Sequence, residues 1–249
     1  MPADYAVLAS IYDAAGLAAQ SAQLTMQAVT FTLQRGWLGR TILDLGCGTG
    51  AGMAWMKQQG YRVTGVDLSP DMLNAARQTI GDGRGAPLLE QDIRKLAFTD
   101  EFDLVLALNV LNELDSLREL EAVFKGVQQA LHSGQLFAFD LFTTEGLAKN
   151  GGERLFYDAP ERLTVFTRQD FDYERQARTT RYWVFNREPE DGWQRATAEH
   201  IHRSYPISAV VTLLQRANFE GITVWSGNFT PYEPGMTGIE RVIFMAKKA

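Results

Sequence analysis

The sequence predicts an α/β fold: a mostly parallel sheet covered by helices on both faces, with an antiparallel β insertion late in the chain. Three observations carry that reading. Short apolar runs of strand length alternate with helical segments between residues 41 and 142. Those runs are apolar throughout, as in strands buried on both faces. From about residue 151 the pattern changes to long alternating segments rich in β-branched and aromatic residues, the mark of antiparallel strands with one wetter face.

Residues 3–37 are rich in Ala, Leu and Gln with no proline, so they read as helix, divided at Gly16. "TILDLG" (41–46) is the first strand, and "GMAWMKQQG" a helix ending at Gly60. "YRVTGVD" (61–67) is the second strand. The helix of "SPDMLNAARQTI" has a marked start, with Ser69 as N-cap, Pro70 at the first helical position and Asp71 at the positive end of the dipole. "APLLEQD" (86–92) and "FDLVLAL" (102–108) are the third and fourth strands. Ser116 and Glu119 have capping-box spacing before a helix in which Leu117, Leu120, Val123, Val127 and Leu131 recur at helical spacing, and "GQLFAFDLF" (134–142) is the fifth strand. "ERLTVFTRQDFDYE", "RTTRYWVFN" and "WQRATAEHIHRSY" are the insertion strands. "PISAVVTLLQRAN" returns to helix, and "ITVWSGNF" with "IERVIFMAKK" closes the chain as a strand pair. The expected domains are therefore 1–150 with 206–249, and an insertion at 151–205 acting as a lid over substrate.

Composition narrows the function classes. The 249 residues carry a net charge of −6, and no Lys/Arg run exceeds two, which argues against a nucleic-acid partner. Cys47 is the single cysteine, so no internal disulfide forms. The opening "MPADYAVLASIYDAAG" lacks a basic segment followed by an apolar one, and no apolar run reaches membrane-spanning length. The expectation is a cytoplasmic protein, monomer or homodimer, with no membrane partner.

The stretch "GCGTGAG" places Gly46, Gly48, Gly50 and Gly52 directly after the first strand. In an open α/β sheet the ligand sits beyond the carboxyl ends of the strands, so these glycines read as room for close backbone approach. Asp67 ends the second strand, where an acid can accept both hydroxyls of a ribose, and Asp92 ends the third, where it can accept from an adenine amino group. Gly46, Gly48 and Ala51 also satisfy the dinucleotide pattern, so a nicotinamide-dependent oxidoreductase is a rival reading. Asp44, just before the glycines, opposes a pyrophosphate and suits a cationic cofactor such as S-adenosylmethionine.

"LDLGCGTG", "VTGVDLSPDML", "LEQDIRKL", "FDLVLALNVLNEL" and "VQQALHSGQLFAFDLF" together resemble the ordered motifs of the class I S-adenosylmethionine-dependent methyltransferases. "YAVLASIYD" and "EHIHRSYPISAVVTLLQRANF" resemble segments of the small bacterial members with an antiparallel insertion. The resemblance implies a Rossmann-like sheet with an antiparallel last strand, and S-adenosylmethionine as cofactor with S-adenosylhomocysteine as product. It implies cofactor binding by Tyr5, Tyr12, Asp44, Gly46, Cys47, Gly48, Asp67, Leu68, Asp92, Ile93 and Asn109. Its His-x-x-Arg-x-Tyr pattern falls on His200, Arg203 and Tyr205.

His200 and His202, two apart on one strand, share a face and are the candidate bases, while Arg203 and Tyr205 project oppositely from a regular strand. These four are the catalytic candidates. Asn112, Tyr182 and Tyr232 are candidate acceptor contacts, and Asn109 and Glu113 also stand where an acceptor lies. Two histidines on one strand do not make a zinc site, so no metal is expected. The segment "LNVLNEL" lacks the [Asn/Asp]-Pro-Pro-aromatic motif of enzymes that methylate base amino groups. The expected reaction is therefore methyl transfer to nitrogen or oxygen of a small molecule; a non-catalytic cofactor-binding module is the other class.

Overall fold

The structure is a computed structural model that describes residues 5–81, 86–149, 151–159, 161–188 and 192–249. Two helices open the chain, α1 (Tyr5–Ile11) and α2 (Leu17–Gln34), and Gly16 divides them at φ 77°, a conformation glycine adopts without strain. The predicted helix start at residue 3 lies outside the described residues. There follow β1 (Thr41–Leu45), α3 (Ala51–Gln58), β2 (Arg62–Asp67), α4 (Pro70–Ile80), β3 (Leu88–Glu90), β4 (Phe102–Ala107), α5 (Leu117–Ala130) and β5 (Leu131–Phe142). A short α6 (Thr144–Ala148) leads into β6 (Gly152–Ala159), β7 (Leu163–Asp172), β8 (Ala177–Glu188) and β9 (Gly192–Arg203). The chain closes with α7 (Ile207–Arg216), β10 (Phe219–Ser226) and β11 (Arg241–Lys248).

The helix starts follow local chemistry. Ser69 Oγ accepts from the Met72 amide at 3.2 Å, with Pro70 and Asp71 in the first turn of α4. Ser116 Oγ accepts from the Glu119 amide at 3.3 Å, but the reciprocal bond of a capping box shifts by one residue. Glu119 Oε2 takes the Asp115 amide at 2.7 Å, while Arg94 holds the other oxygen at 2.5 Å.

Seven strands form the main sheet in the order β10-β11-β5-β4-β1-β2-β3. The pairs among β1 to β5 are parallel, and β11 runs antiparallel between β5 and β10. Alternation along β1 explains the two covering layers. Leu43 and Leu45 pack with α5 and α7 on one face, and Ile42 packs with α2, α3 and α4 on the other. Strand order reverses between β1 and β4, which opens a crevice beyond their carboxyl ends.

The second sheet is antiparallel, in the order β6-β7-β8-β9. Sequence reasoning missed β6, an edge strand of mostly exposed residues with little alternation to reveal it. It missed α6 as well, a five-residue helix capped by Thr143, whose Oγ1 accepts from the Gly146 amide at 3.0 Å. It also started the fifth strand late: Leu131 pairs with Phe102, and pairing resumes at Leu136–Leu104 after a bulge. The third strand is shorter than predicted, and Asp92 does not end it. Asp92 instead N-caps a 3-10 turn at Ile93–Lys95. Helix α1 joins the two sheets. Leu8 and Ile11 are buried in a cluster with Met72 of α4 and with Leu163, Val165 and Val184 of the second sheet.

Candidate functional site

A cavity of about 990 Å³ runs from the crevice of the main sheet to one face of the second sheet. Its volume is at the upper end of the range for small-molecule sites, room for a nucleoside and a second molecule. The glycine loop after β1 forms its floor, but the glycines do different work. A Cβ on Gly46 would lie 2.7 Å from Val110, and one on Gly52 would lie 2.7 Å from Thr25 Oγ1. A Cβ on Gly50 would press on Ala76 and Ile80. Gly48 alone of the four faces open space, at φ 55°. Its bare backbone is the part of the loop turned to the open cavity.

Acids surround Gly48. Asp67 Oδ2 accepts from the Gly48 amide at 2.9 Å and Oδ1 from the Ser69 amide at 2.9 Å, which fixes the carboxylate at the end of β2. Burial raises its pKa, against the lowering effect of those amides. Asp44 is 6% exposed, and burial with repulsion from Asp67 pushes its carboxyl up to about 7. Cys47, beside them, is buried, and burial and both acids push its thiol up. Leu68 and Ile93 line the same end.

Asp92 also lines the cavity, but its carboxylate is engaged. Arg94 grips it through Nε at 2.9 and 3.0 Å and through Nη2 at 2.8 Å, and reaches across to Glu119. That grip holds Asp92 below the usual carboxylate range.

The middle of the cavity is built by four segments. Tyr5 of α1 donates its hydroxyl to Oε1 of Glu113, in the 3-10 turn after β4. His200 of β9 places Nε2 at 2.9 Å from the same oxygen and 3.1 Å from the Tyr5 hydroxyl. Tyr12 lies nearby, its phenol pKa raised by burial. Asn109 sits at φ 59°, held there because its amide donates to Asp140 Oδ1 at 2.6 Å. Arg241 of β11 donates to Asp140 Oδ2 and to Asn109 Oδ1, the latter at 2.7 Å. Asp140 is fully buried, so this ion pair welds the last strand to the loop after β4.

The far wall is one face of the second sheet. Pairing aligns Thr180 with His200 and Arg178 with His202. Tyr182, Gln169, Arg178 and both histidines reach the cavity from it. The two histidine rings lie 4.2 Å apart, as shared-face spacing requires. They differ in surroundings. Burial, His200, Arg178 and Arg241 drive the His202 pKa well down, so His202 stays neutral. His200 faces the Glu113 carboxylate.

Four predicted residues are not brought to this cavity. Asn112 is 2% exposed and spent on backbone: its amide nitrogen donates to Arg203 O at 2.7 Å and Phe142 O at 3.2 Å, and its oxygen accepts from Phe142 N at 2.8 Å. Arg203 turns away to pair with Asp115 at 3.0 Å. Tyr205 lies beyond the end of β9 and donates to Leu114 O. Tyr232 packs at the edge of the core beside α5 and α7. The regular strand explains Arg203, which it sends to the face opposite His200 and His202. Sequence reasoning missed Arg178, Gln169 and the Asp140–Arg241 pair. Their only signal is strand register, which the sequence does not display.

Glu113, His200 and His202 offer ligand atoms within 4.8 Å of one another, a grouping that two histidines alone did not suggest. The positive charges of Arg178 and Arg241 beside His202 oppose a cation there.

Residues 42–134 match a family described as a methyltransferase domain. A putative methyltransferase of Bacillus subtilis, YqeM, is 30% identical over 213 residues, covering 84% of each chain. A solved S-adenosylmethionine-dependent methyltransferase from Clostridium acetobutylicum superposes with TM-score 0.80 at 22% identity, covering 98% of this chain and 99% of that one. The sugar N-methyltransferase KedS8 of a Streptoalloteichus species superposes with TM-score 0.75 at 18% identity, over 90% of this chain and 86% of its own.

Proposed function

The chain belongs to the class I S-adenosylmethionine-dependent methyltransferases, and from that premise we propose that it methylates nitrogen or oxygen of a small molecule in the cytoplasm. The observation that carries the reading is the continuity of the cavity. Its cofactor end, around Gly48 and Asp67, runs without a wall into a polar face built by the second sheet. A cavity of this size, walled by the second sheet, fits a small acceptor beside the cofactor.

The residues fit the cofactor. Gly48 is open with a positive φ, and Asp67 is fixed beside it to receive ribose hydroxyls. Asp44, buried near neutrality of charge, answers a cationic group and would repel a pyrophosphate. Leu68 and Ile93 would flank the adenine, Asp92 would meet its amino group, and Tyr5, Tyr12 and Asn109 stand toward the methionine end. Gly46 and Cys47 belong to this cradle through their backbone.

S-adenosylmethionine, when bound, supplies a sulfonium methyl group open to in-line displacement. The protein supplies position and proton traffic. The pair His200–Glu113 stands between the two ends of the cavity. It takes the proton that an acceptor nitrogen or oxygen must lose as its new bond to carbon forms. Glu113 stabilises the imidazolium so formed, and the Tyr5 hydroxyl fixes the carboxylate. His202, held neutral, does not serve as that base. The second sheet acts as the lid that keeps water from the methyl group.

Calorimetric titration with S-adenosylhomocysteine, with NADH in parallel, tests the reading. Micromolar binding of the first and none of the second is expected. Binding of NADH alone would overturn it.

A further inference from the structure

The acceptor end of the cavity holds positive charge that the protein does not neutralise. The Arg178 side chain is mostly buried, its Nε has no hydrogen-bond partner, and no carboxylate among the described residues pairs with it. Burial and the charges of Arg154 and Arg241 together lower its pKa. Two other guanidiniums at the cavity differ. Arg94 is paired with Asp92 and Glu119, and Arg241 with Asp140. Arg154, exposed on β6, also has no carboxylate partner among the described residues.

Arg178 is held rather than adrift. Its guanidinium carbon lies 5.4 Å from the centre of the Phe142 ring, against which Arg241 also stacks at 4.1 Å. Directly across the strand pair, His202 Nδ1 is likewise buried without a partner. Two orphaned polar atoms at facing register positions, beside a partnerless positive charge, mark a place built for something absent from the chain itself.

We infer that the methyl acceptor carries a carboxylate, which Arg178 receives with His202 and Arg154 beside it; this rests on the methyltransferase reading above. A planar monoanion matches the fork of one guanidinium. His200 stands two residues along the strand from His202, about 7 Å, so the methylated atom is a few bonds from the carboxylate. The substrate class is an amino or hydroxy acid rather than a neutral sugar.

The test is thermal and calorimetric titration of the protein with benzoate and with benzamide at fixed ionic strength, with and without S-adenosylhomocysteine. Benzoate is expected to bind and stabilise where benzamide does not. In Arg178→Leu its affinity falls at least about tenfold, and Arg178→Lys recovers part of the loss. The affinity of each variant for S-adenosylhomocysteine, expected to be unchanged, shows that it is folded. Equal effects of benzoate and benzamide on the wild-type protein would overturn the inference, as would a benzoate effect that survives in Arg178→Leu. Stronger stabilisation by inorganic phosphate than by benzoate would overturn the carboxylate assignment. Because the anion arm is also read without cofactor, failure of S-adenosylhomocysteine to bind strikes the cofactor reading alone.

Discussion

Glu113 and His200 meet at 2.9 Å across the centre of the cavity, one from the turn after β4 and the other from the second sheet. The contact ties the main sheet to the second sheet inside the cavity, and in the proposed mechanism it is the proton acceptor. Glu113→Gln keeps the shape and removes the charge. It is expected to lower kcat about 10²–10⁴-fold, the usual share of a proton acceptor, with affinity for S-adenosylhomocysteine nearly unchanged. His200→Gln should do the same, whereas His202→Gln should raise KM for the acceptor more than it lowers kcat. Steady-state rates on the first acceptor that turns over check this.

Asp44 makes stability depend on pH. Its folded pKa, about 7, lies above the ordinary carboxylate value of 3.8. The folded chain therefore keeps a proton that the unfolded chain releases, and stability falls as pH rises between those values. The full loss above pH 7 is on the order of 4 kcal/mol. Denaturation of the ligand-free protein across that range should show the slope, and Asp44→Asn should flatten it. A cationic cofactor favours the ionised carboxylate, so S-adenosylmethionine should bind more tightly as pH approaches 7, releasing a proton measurable by calorimetry in two buffers.

Asp67→Ala removes the carboxylate proposed to receive the ribose and leaves the Gly48 and Ser69 amides without their acceptor. Affinity for S-adenosylhomocysteine should fall by about 1.5–3 kcal/mol, the scale of hydrogen bonds to a charged group. Unchanged affinity by calorimetry would remove Asp67 from the ribose site.

The glycines of the loop should separate by phenotype. In Gly46→Ala the new methyl meets Val110, so the melting temperature falls first. In Gly48→Ala it meets only the open cavity, so cofactor affinity falls more than stability. Both pay for a positive φ, which makes the pair a controlled comparison.

Cys47 should be unreactive toward a thiol reagent at pH 8, because burial and the two neighbouring acids keep its thiol protonated. Labelling is expected only as the chain unfolds.

The cofactor end was legible because it is local. The run from Asp44 to Gly52 and the strand end at Asp67 are set by residues within a few positions, and helix caps such as Ser69 announce themselves. The acceptor end was not. Arg178 faces His202 only through the pairing of β8 with β9, and a shift of one residue would send both outward. Arg203, Tyr205 and Asn112 show the reverse error. Their residue types suit an active site, but their polar atoms are consumed by Asp115, by Leu114 and by backbone. Sequence gives the type of a group, and only packing tells whether it is still free.

The last strand, β11, is not at an edge: it lies between β5 and β10 and carries Arg241 to Asp140. The glycine loop and both histidines therefore precede in sequence the strand that completes the wall of the cavity. Until β11 enters that gap, β5 keeps an open edge and Asp140 lacks its cation. One strand thus closes the open edge of the sheet and completes the buried ion pair behind the cavity in a single step. The substitution Ile243→Pro, in the middle of β11, should silence the protein as fully as removing a residue from its centre.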